Sequence, residues 1–426
     1  MISLHTCPLA VLGGKETGGM NVYVRDLSRE LIRRGVCVDV FTRSQNPAIK
    51  RVSHALGSGA RVIHVPAGPE APIDKYLVFD HISEFVNGVL SFARQEGLSY
   101  DLIHSHYWLS GWAARELRAE WGAPIVHMFH TLGHMKNIIA QSEQEREHEQ
   151  RIEVERQIMD FADRLIAATP MERAQMAWLY GANPAKISVV PCGVDLSLFA
   201  AKDKTEAKAF IGIPPQQRLV LFVGRIEPLK GIDTLIRAVD IVLQRHADWK
   251  ESLALLIIGG SPDDSPETRS QEMNRLQELR EELGLTDWVA FLGAKAQDTL
   301  PYYYSAADVL VVPSHYESFG MVALEAMACG TPVIASKVGG LSLSVQDGVT
   351  GYLVPDRDPT SLADRIEWIL SNPQLAAVIG QQASEWARRF RWPSVANRIQ
   401  EIYEEVLSQE ADVAVGQQMC QRESCP

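Results

Sequence analysis

The sequence predicts an α/β protein made of two doubly wound, Rossmann-like domains in tandem. Its 426 residues exceed the roughly 250–300 that one hydrophobic core usually serves. Two series of near-continuous apolar strands alternate with helical segments, a pattern typical of parallel sheets covered on both faces. The Pro/Gly-marked and then charged segment "PCGVDLSLFAAKDKTEAK" separates the two series. The predicted parts are a first domain at 1–195, a second at 196–385, terminal helices crossing back to the first at 386–412, and a disordered tail at 413–426.

The first series begins within the opening segment "MISLHT", which supplies only about three strand residues, few for a central strand. We therefore expect either a clipped strand or a true start further upstream. The amphipathic segment "NVYVRDLSRELIRRG" has apolar residues at helical spacing and ends at Gly35. The strand "CVDVFTR" follows, and then "RVIHVPA", the helix "ISEFVNGVLSFARQEG", and the strands "DLIHSH", "PIVHMFH" and "RLIAAT". The charge-rich run 142–157 is interpreted mostly as a solvated helix face.

The second series has six strand-like segments, "RLVLFVGRI", "LALLIIGG", "VAFLGA", "VLVVPS", "PVIAS" and "GYLVPD". The helix "WPSVANRIQEIYEEVLSQ" closes the chain, and we expect it to return to the first domain. Ligands of doubly wound sheets bind beyond the carboxyl ends of the strands. The functional residues are therefore expected in the loops that follow strands, around a cleft between the two sheets.

Composition excludes several classes of protein. The net charge of −12, from 41 basic and 53 acidic residues, argues against nucleic acid and anionic membranes as partners. The sequence has no uninterrupted apolar run of about 18 residues and no secretory signal, so we predict a cytoplasmic protein without membrane insertion. The six cysteines show no paired zinc spacing. No oligomeric state is predicted.

Two carboxylates eight residues apart mark the segment "HYESFGMVALEAMACGTPVIA". Glu317 lies in the loop after a buried strand, and Glu325 lies inside the helix predicted at 321–328. Phe319 and Gly320 stand at the start of that helix, where free N–H groups and the helix dipole attract an anion such as a diphosphate. Carboxylates also accept hydrogen bonds from sugar hydroxyls. Spacing alone leaves open a surface role for Glu317 and a buried network role for Glu325.

Two further loops carry groups suited to a nucleotide sugar. In "FVGRIEPLKG", Gly224, Arg225 and Lys230 follow a strand, and the two cations suit a diphosphate leaving group, although such pairs are often plain surface cations. In "GGKETGGMNVYV", Gly18 and Gly19 would let the backbone approach a phosphate or sugar closely. That loop lacks both the full G-x-G-x-x-G and the Walker lysine, so it is weak evidence for those nucleotide folds.

Histidines follow two strands of the first domain, in "HSHYWLSGW" and "MFHTLGHMKN". A metal site is one interpretation, but no H-x-x-x-H pair or acidic partner supports it, and hydrogen-bonding or core histidines are commoner. We therefore predict no metal and no other cofactor. The polar residues that these loops direct to the functional edge are His104, His106, Tyr107, His130, Thr131 and Lys136.

Together these motifs resemble glycosyltransferase family 4, the retaining enzymes of the GT-B fold, over nearly the whole chain. The resemblance implies that Glu317 contacts the hexose of the sugar donor and that Glu325 holds the nucleotide ribose. It also implies that Arg225 and Lys230 neutralise the departing diphosphate and that His130 lies near the transferred sugar. The expected catalytic residues are His130, Glu317, Arg225 and Lys230. The residues expected to complete the sugar-donor site are Gly18, Gly19, Gly224, Phe319, Gly320 and Glu325.

Two subfamilies share the remaining motifs. "GGMNVYV", "DKY", "HSHYWLSG" and "HTLGHMKN" resemble the inositol-phosphate glycosyltransferases of mycothiol synthesis. The glycine loop, "VDVFTR", the histidine-Thr/Ser-Leu motif with its following lysine, and "RIEVERQIMDFADRLI" also resemble bacterial sucrose-phosphate synthases. Both use a phosphorylated acceptor, and the resemblance implies that Lys75, Tyr107, Thr131 and Arg151 bind its phosphate, for which an arginine fork is well suited. Solvated charge is the alternative for Lys75 and Arg151.

The sequence therefore predicts a metal-independent, retaining transfer of a hexosyl group, glucosyl from UDP-glucose, to a small phosphorylated acceptor. Fructose 6-phosphate is favoured, and an inositol-phosphate N-acetylglucosaminyltransferase is the alternative. Other classes with this fold are a UDP-sugar epimerase or hydrolase, a non-catalytic sugar-nucleotide binding protein and a pyridoxal-dependent phosphorylase. The Glu317/Glu325 spacing with the phosphate residues disfavours the first, and the Arg225/Lys230 pair disfavours the second. No suitable lysine context supports the third.

Overall fold

The computed structural model describes residues 1–10, 17–140, 142–261 and 270–423, without the side chains of residue 144 and residues 410–423. The chain divides into two compact units. Among the described residues, the first unit contains 1–10, 20–140, 142–191 and 393–423, and the second contains 17–19, 192–261 and 270–392. Each unit is built on a parallel sheet with helices between the strands, so the predicted α/β class is confirmed.

The first unit carries seven strands in two groups that the N-terminus joins. The strands are β1 (Val38–Arg43), β2 (Val52–Ser53), β3 (Ala60–Val65), β4 (Ile103–His106), β5 (Ile125–Met128), β6 (Arg164–Ala167) and β7 (Ile187–Val189). Their orders are β1-β3-β2 and β4-β5-β6-β7, and every pairing except β2 with β3 is parallel. Ile2 makes parallel bridges to both Phe41 and Ser105, so the short opening segment lies between β1 and β4.

The second unit carries one six-stranded parallel sheet. Its strands are β8 (Arg218–Val223), β9 (Leu253–Ile258), β10 (Val289–Phe291), β11 (Val309–Val312), β12 (Val333–Ser336) and β13 (Gly351–Val354). The order β10-β9-β8-β11-β12-β13 reverses direction between β8 and β11. The loops after β8 and β11 therefore begin side by side at a topological switch point, where doubly wound sheets bind ligands.

Helices cover both sheets, and their apolar faces supply most of the two cores. Their bounds in the first unit are α1 (Gly19–Arg33), α2 (Lys75–Phe79), α3 (Ile82–Glu96), α4 (Trp108–Trp121), α5 (Gly133–Ile139), α6 (Glu149–Phe161) and α7 (Pro170–Tyr180). Those that follow are α8 (Lys204–Phe210), α9 (Ile232–Arg245), α10 (Gln271–Glu282), α11 (Leu300–Ala306), α12 (Met321–Ala328), α13 (Leu341–Ser344), α14 (Pro359–Ser371), α15 (Pro373–Ala387) and α16 (Trp392–Glu423).

The last helix belongs with the first sheet. The Tyr403 hydroxyl on α16 lies 2.7 Å from Nδ1 of His104, and Arg34 donates to the carbonyl of Pro393 at 2.6 Å. The backbone of α16 is helical to Glu423, across most of the tail predicted to be disordered at 413–426, whereas residues 424–426 and the side chains of 410–423 lie outside what is described. None of the helices in the described part of the chain combines the length and apolar character that crossing a membrane requires. The cytoplasmic location stays a prediction.

Candidate active site

The loops after β8 and β11 bring one cation and one carboxylate together in the second unit. The Lys230 Nζ donates to Oε2 of Glu317 at 2.6 Å. The backbone N–H of His315 donates to the carbonyl of Leu229 at 2.8 Å, which joins the two loops. Gly231 has φ +63°, and a Cβ there would lie 2.1 Å from the Pro313 carbonyl oxygen, so only glycine allows this approach.

The start of α12 is fixed by a second close approach. Gly320 has φ +89°, and a Cβ there would lie 2.5 Å from Cδ2 of Leu341. The carbonyl of Phe319 accepts from the Ser344 hydroxyl at 2.8 Å, and the carbonyl of Glu317 accepts from the N–H of residue 340 at 2.8 Å. The loop that carries Glu317 is therefore held against α13, with the amino end of α12 directly after it.

Glu325 lies in the second turn of α12 and is buried. The Tyr304 hydroxyl donates to its Oε2 at 2.7 Å. Burial, and then the charge of Glu325, raise the pKa of Tyr304 well above its usual range, so the phenol remains a donor to this carboxylate. Glu325 thus takes part in a buried hydrogen bond, as one interpretation of the sequence supposed, and its contact with ribose stays a prediction.

The remaining predicted sugar-donor residues also lie in the second unit. Nη1 of Arg225 forms a 2.8 Å ion pair with Glu227, and about a third of the Arg225 side chain is exposed. The N–H of Gly224 donates at 3.0 Å to the last residue of β9. A Cβ on Gly18 would lie 3.6 Å from Nε of Arg225. A Cβ on Gly19 would lie 3.3 Å from Sδ of Met321, the first residue of α12. These contacts place the Arg225 side chain beside Gly18.

In the first unit, three cations converge on one carboxylate. Both oxygens of Glu147 accept from the Lys75 Nζ, at 2.7 and 2.6 Å. The Lys136 Nζ and the Arg151 Nη1 each lie 2.9 Å from its Oε1, and the Tyr76 hydroxyl donates to its Oε2 at 2.6 Å. We call Lys75, Lys136 and Arg151 the cation cluster.

Arg151 connects this cluster to the other predicted acceptor residues. Its side chain is fully buried, and its Nε donates to Oε1 of Glu155 at 2.7 Å. Its Nη1 donates to the Tyr107 hydroxyl at 3.1 Å, and its Nη2 donates to the carbonyl and hydroxyl of Thr131 at 2.8 and 3.1 Å. The structure therefore brings Tyr107, Thr131 and Arg151 into direct contact, and Lys75 joins them through Glu147.

The pKa values of the groups around Glu147 are set by burial and by the charges of their neighbours. Burial alone would raise the pKa of Glu147, but Arg151, Lys136 and Lys75 hold it well below its usual range. Burial, and then the charge of Arg151, lower the pKa of Lys75. The protein thus keeps a buried carboxylate ionised among three cations that would otherwise repel each other.

Glu147 was not among the predicted site residues, and Lys136 was predicted at the functional edge but without a role in binding the acceptor. The interpretation of 142–157 as a mostly solvated face is wrong for one side of α6 and for Glu147 just before it, because Glu147, Arg151 and Glu155 are all buried. The available signal was the four-residue spacing of these three charges, since residues four apart lie on one face of a helix, here Arg151 and Glu155. Opposite charges repeated at that spacing fit a buried ion network as well as an exposed one.

His130 lies at the end of β5 with φ +61°, and its Nε2 is 3.1 Å from Nδ1 of His106. Burial lowers the pKa of His130 to about 3, so the imidazole is neutral near pH 7. A neutral imidazole can donate a hydrogen bond from one ring nitrogen and accept one at the other. Within the described residues, no three His, Cys, Asp or Glu side chains are grouped to hold a metal ion. Metal independence remains a prediction.

Two family models together match most of the chain. Glycosyltransferase Family 4 matches residues 17–198, and Glycosyl transferases group 1 matches residues 203–386. D-inositol 3-phosphate glycosyltransferase 2 of Catenulispora acidiphila is 42% identical over 407 residues, which are 95% of this chain and 93% of the relative.

Solved structures also match nearly the whole chain. A sucrose-phosphate synthase from Thermosynechococcus elongatus is 37% identical and has a TM-score of 0.87, with 96% of this chain and 98% of that chain covered. Anabaena HepE, solved with UDP and glucose, is 22% identical with a TM-score of 0.73 over 95% of this chain and 99% of that one, a likeness of fold alone.

The parallel sheets and these matches define a glycosyltransferase of the GT-B fold, so the predicted fold and enzyme class are confirmed. The chain belongs to glycosyltransferase family 4.

Proposed function

We propose that this enzyme transfers a hexosyl group, with retention of configuration, from a UDP-sugar to a small phosphorylated acceptor. The observation that carries the proposal is the cation cluster, which meets Tyr107 and Thr131 through Arg151. An arginine fork, two ammonium groups and neighbouring hydroxyls are the partners that a phosphate dianion requires.

The second unit supplies the groups for the sugar donor. Lys230, Arg225 and the amino end of α12 would stabilise the negative charge that develops on the departing diphosphate. Glu317 and Glu325 would accept hydrogen bonds from the hexose and the ribose. That the donor is a UDP-sugar is what the resemblance of these loops to glycosyltransferase family 4 implies.

The proposed reaction breaks the bond between the anomeric carbon and the diphosphate oxygen and forms a bond from that carbon to an acceptor hydroxyl. The acceptor attacks from the side of the leaving group, and the departing phosphate oxygen takes the proton of the hydroxyl. No protein nucleophile is needed. His130, neutral near pH 7, would hydrogen-bond the transferred sugar, and no metal is required in this scheme.

Two acceptors are candidates. Fructose 6-phosphate is supported by the likeness to the sucrose-phosphate synthase, at 37% identity. D-inositol 3-phosphate is supported by the relatives that carry this acceptor in their names, one of them 42% identical. With an inositol phosphate, UDP-N-acetylglucosamine becomes the matching donor. Both acceptors carry a phosphate, so the cation cluster suits either.

The test is UDP release from UDP-glucose and from UDP-N-acetylglucosamine across fructose 6-phosphate, fructose, inositol 3-phosphate, inositol and no acceptor. We expect release only with one phosphorylated acceptor. Equal release with the matching unphosphorylated compound would contradict the phosphate assignment. Release without any acceptor would instead favour a UDP-sugar hydrolase or epimerase.

A further inference from the structure

We propose that Glu147 is an internal competitor of the acceptor phosphate and thereby restricts the enzyme to phosphorylated acceptors. The inference rests on the proposed function, because it assumes that the cation cluster binds the acceptor phosphate. It adds a residue that sets specificity and that the sequence motifs do not indicate.

The geometry around Glu147 is that of a bound anion. Its side chain is 5% exposed. Its Oε1 faces Lys75, Lys136 and Arg151, and its Oε2 faces Lys75 and the Tyr76 hydroxyl, all within 2.9 Å. A phosphate held by the same cations would need the positions that these two oxygens fill. A phosphate in those positions would therefore displace the carboxylate of Glu147.

The charges favour exchange with a dianion. Lys75, Lys136 and Arg151 bring three positive charges, whereas Glu147 and Glu155 bring two negative ones. The cluster thus retains one positive charge while Glu147 is in place. Replacing its carboxylate by a phosphate dianion would make the cluster neutral, which lowers the cost of burying these charges.

The backbone of Glu147 is held independently of its carboxylate. Its N–H donates to Oδ1 of Asn137 at 2.7 Å, and its carbonyl accepts from Nδ2 of the same side chain at 3.2 Å. A rotation of the side chain away from the cations would therefore leave the main chain anchored to α5 through these two bonds. The exchange needs a rotamer change, without displacement of a helix.

Competition of this kind gives specificity by charge. A phosphate offers more charge and more acceptor oxygens than a carboxylate, so it can replace Glu147. A neutral hydroxyl offers neither, and displacing Glu147 for it would leave the buried Arg151 and the two partly exposed lysines with too little negative charge. An acceptor without a phosphate would therefore be rejected even where its sugar ring fits.

Titration calorimetry with inorganic phosphate tests the inference on the full chain. The variant Glu147→Gln keeps the side-chain size but removes the competing charge, so we expect phosphate to bind at least about tenfold more tightly than to wild type. Glu143→Gln is the matched control, since Glu143 is an exposed carboxylate that precedes Glu147 closely in the chain. It should bind phosphate as wild type does.

Each outcome has one meaning. Unchanged or weaker phosphate binding by Glu147→Gln would overturn the competition and make Glu147 an organiser of the cations. If neither wild type nor the variant binds phosphate, the cluster is no phosphate site and the acceptor part of the proposed function fails with it. Should the glutamine variant not fold, Glu147→Asp keeps the charge with a shorter reach, and tighter phosphate binding is again expected.

Discussion

Lys230 and Glu317 form a close pair at the ends of two adjacent strands, in the loops where the sequence predicts the sugar-donor site. In the proposed reaction Lys230 faces the diphosphate and Glu317 faces the hexose. A carboxylate next to the cation orients the ammonium group for the leaving group. Both residue types and both loops could be predicted from the sequence, because strand-end loops follow directly from the apolar pattern.

The variant Lys230→Ala tests this assignment. We expect turnover to fall at least about tenfold, the factor that ~1.4 kcal/mol of transition-state stabilisation supplies. The measurement is UDP release at saturating acceptor. Lys204→Ala is the control, because Lys204 forms an exposed 2.6 Å pair with Asp308 in the same unit and has no predicted role. Turnover of Lys230→Ala near the control would refute a role in leaving-group stabilisation.

Arg151 is a residue whose removal should cost stability as well as binding. Its guanidinium is fully buried between two carboxylates. Removing one partner from such a pair leaves buried charge uncompensated, so Arg151→Ala should lower the free energy of unfolding by about 3–5 kcal/mol. Arg156→Ala, on the same helix but paired at the surface, should cost less than about 1 kcal/mol. Urea unfolding measures both, and equal small losses would contradict the burial of Arg151.

At the scale of elements, glycines decide how closely the site loops approach each other. Gly231 and Gly320 both have positive φ and would both clash if they carried a Cβ. Their presence could be read from the sequence, but the neighbours that exclude a Cβ could not. Those neighbours come from loops distant in sequence, which local patterns do not specify. The burial of one side of α6 was not predicted for the same reason, because it too depends on neighbours that are distant in sequence.

Gly231→Ala tests the contact between the loops. The new Cβ would meet a backbone oxygen, so the loop that carries Lys230 must shift, and we expect both lower stability and turnover reduced at least about tenfold. Gly212→Ala is the matched control, since Gly212 has φ +75° but open space around its Cβ position. It should cost only about 1–2 kcal/mol of backbone strain and leave turnover intact. Similar turnover in both variants would show that loop contact is not required.

At the scale of the whole molecule, alternation of apolar strands and helices was sufficient to predict two parallel sheets. It did not specify that Ile2 would bridge both halves of the first sheet. The sequence predicted that the last helix returns to the first domain, but not that its Tyr403 would meet His104, 299 positions away in sequence. Hydrophobic periodicity reports which face is buried, whereas such distant pairings depend on the completed fold.

The buried histidines of the first unit give the molecule a defined pH dependence of stability. Burial lowers the pKa of His127 and His130 to about 3 and that of His104 and His106 well below the ordinary 6.5. In the unfolded chain these four groups take up protons near pH 6.5, while the folded protein does not. Their contribution is complete above pH 6.5 and is lost as pH falls toward the folded values.

We therefore expect the free energy of unfolding to decrease between pH 7 and pH 5, by up to about 1.4 kcal/mol per pH unit for each histidine. Glu172 acts in the opposite direction, because burial raises its pKa to about 7, but it is a single group. Urea unfolding at pH 7, 6 and 5 measures the slope. A free energy that stays constant or rises over this range would contradict neutral, buried histidines.

The most direct test of the central claim, that the cation cluster binds the acceptor phosphate, is the apparent acceptor constant of Lys136→Met. Lys136 is partly exposed, so its loss should leave the fold intact. We expect the constant for the phosphorylated acceptor to rise at least about tenfold while the constant for the UDP-sugar stays unchanged, since one charge-assisted contact is worth about 1.5–3 kcal/mol. Lys50→Met, at an exposed position of the same unit, should change neither constant. An unchanged acceptor constant, or an equal rise in both constants, would contradict the claim.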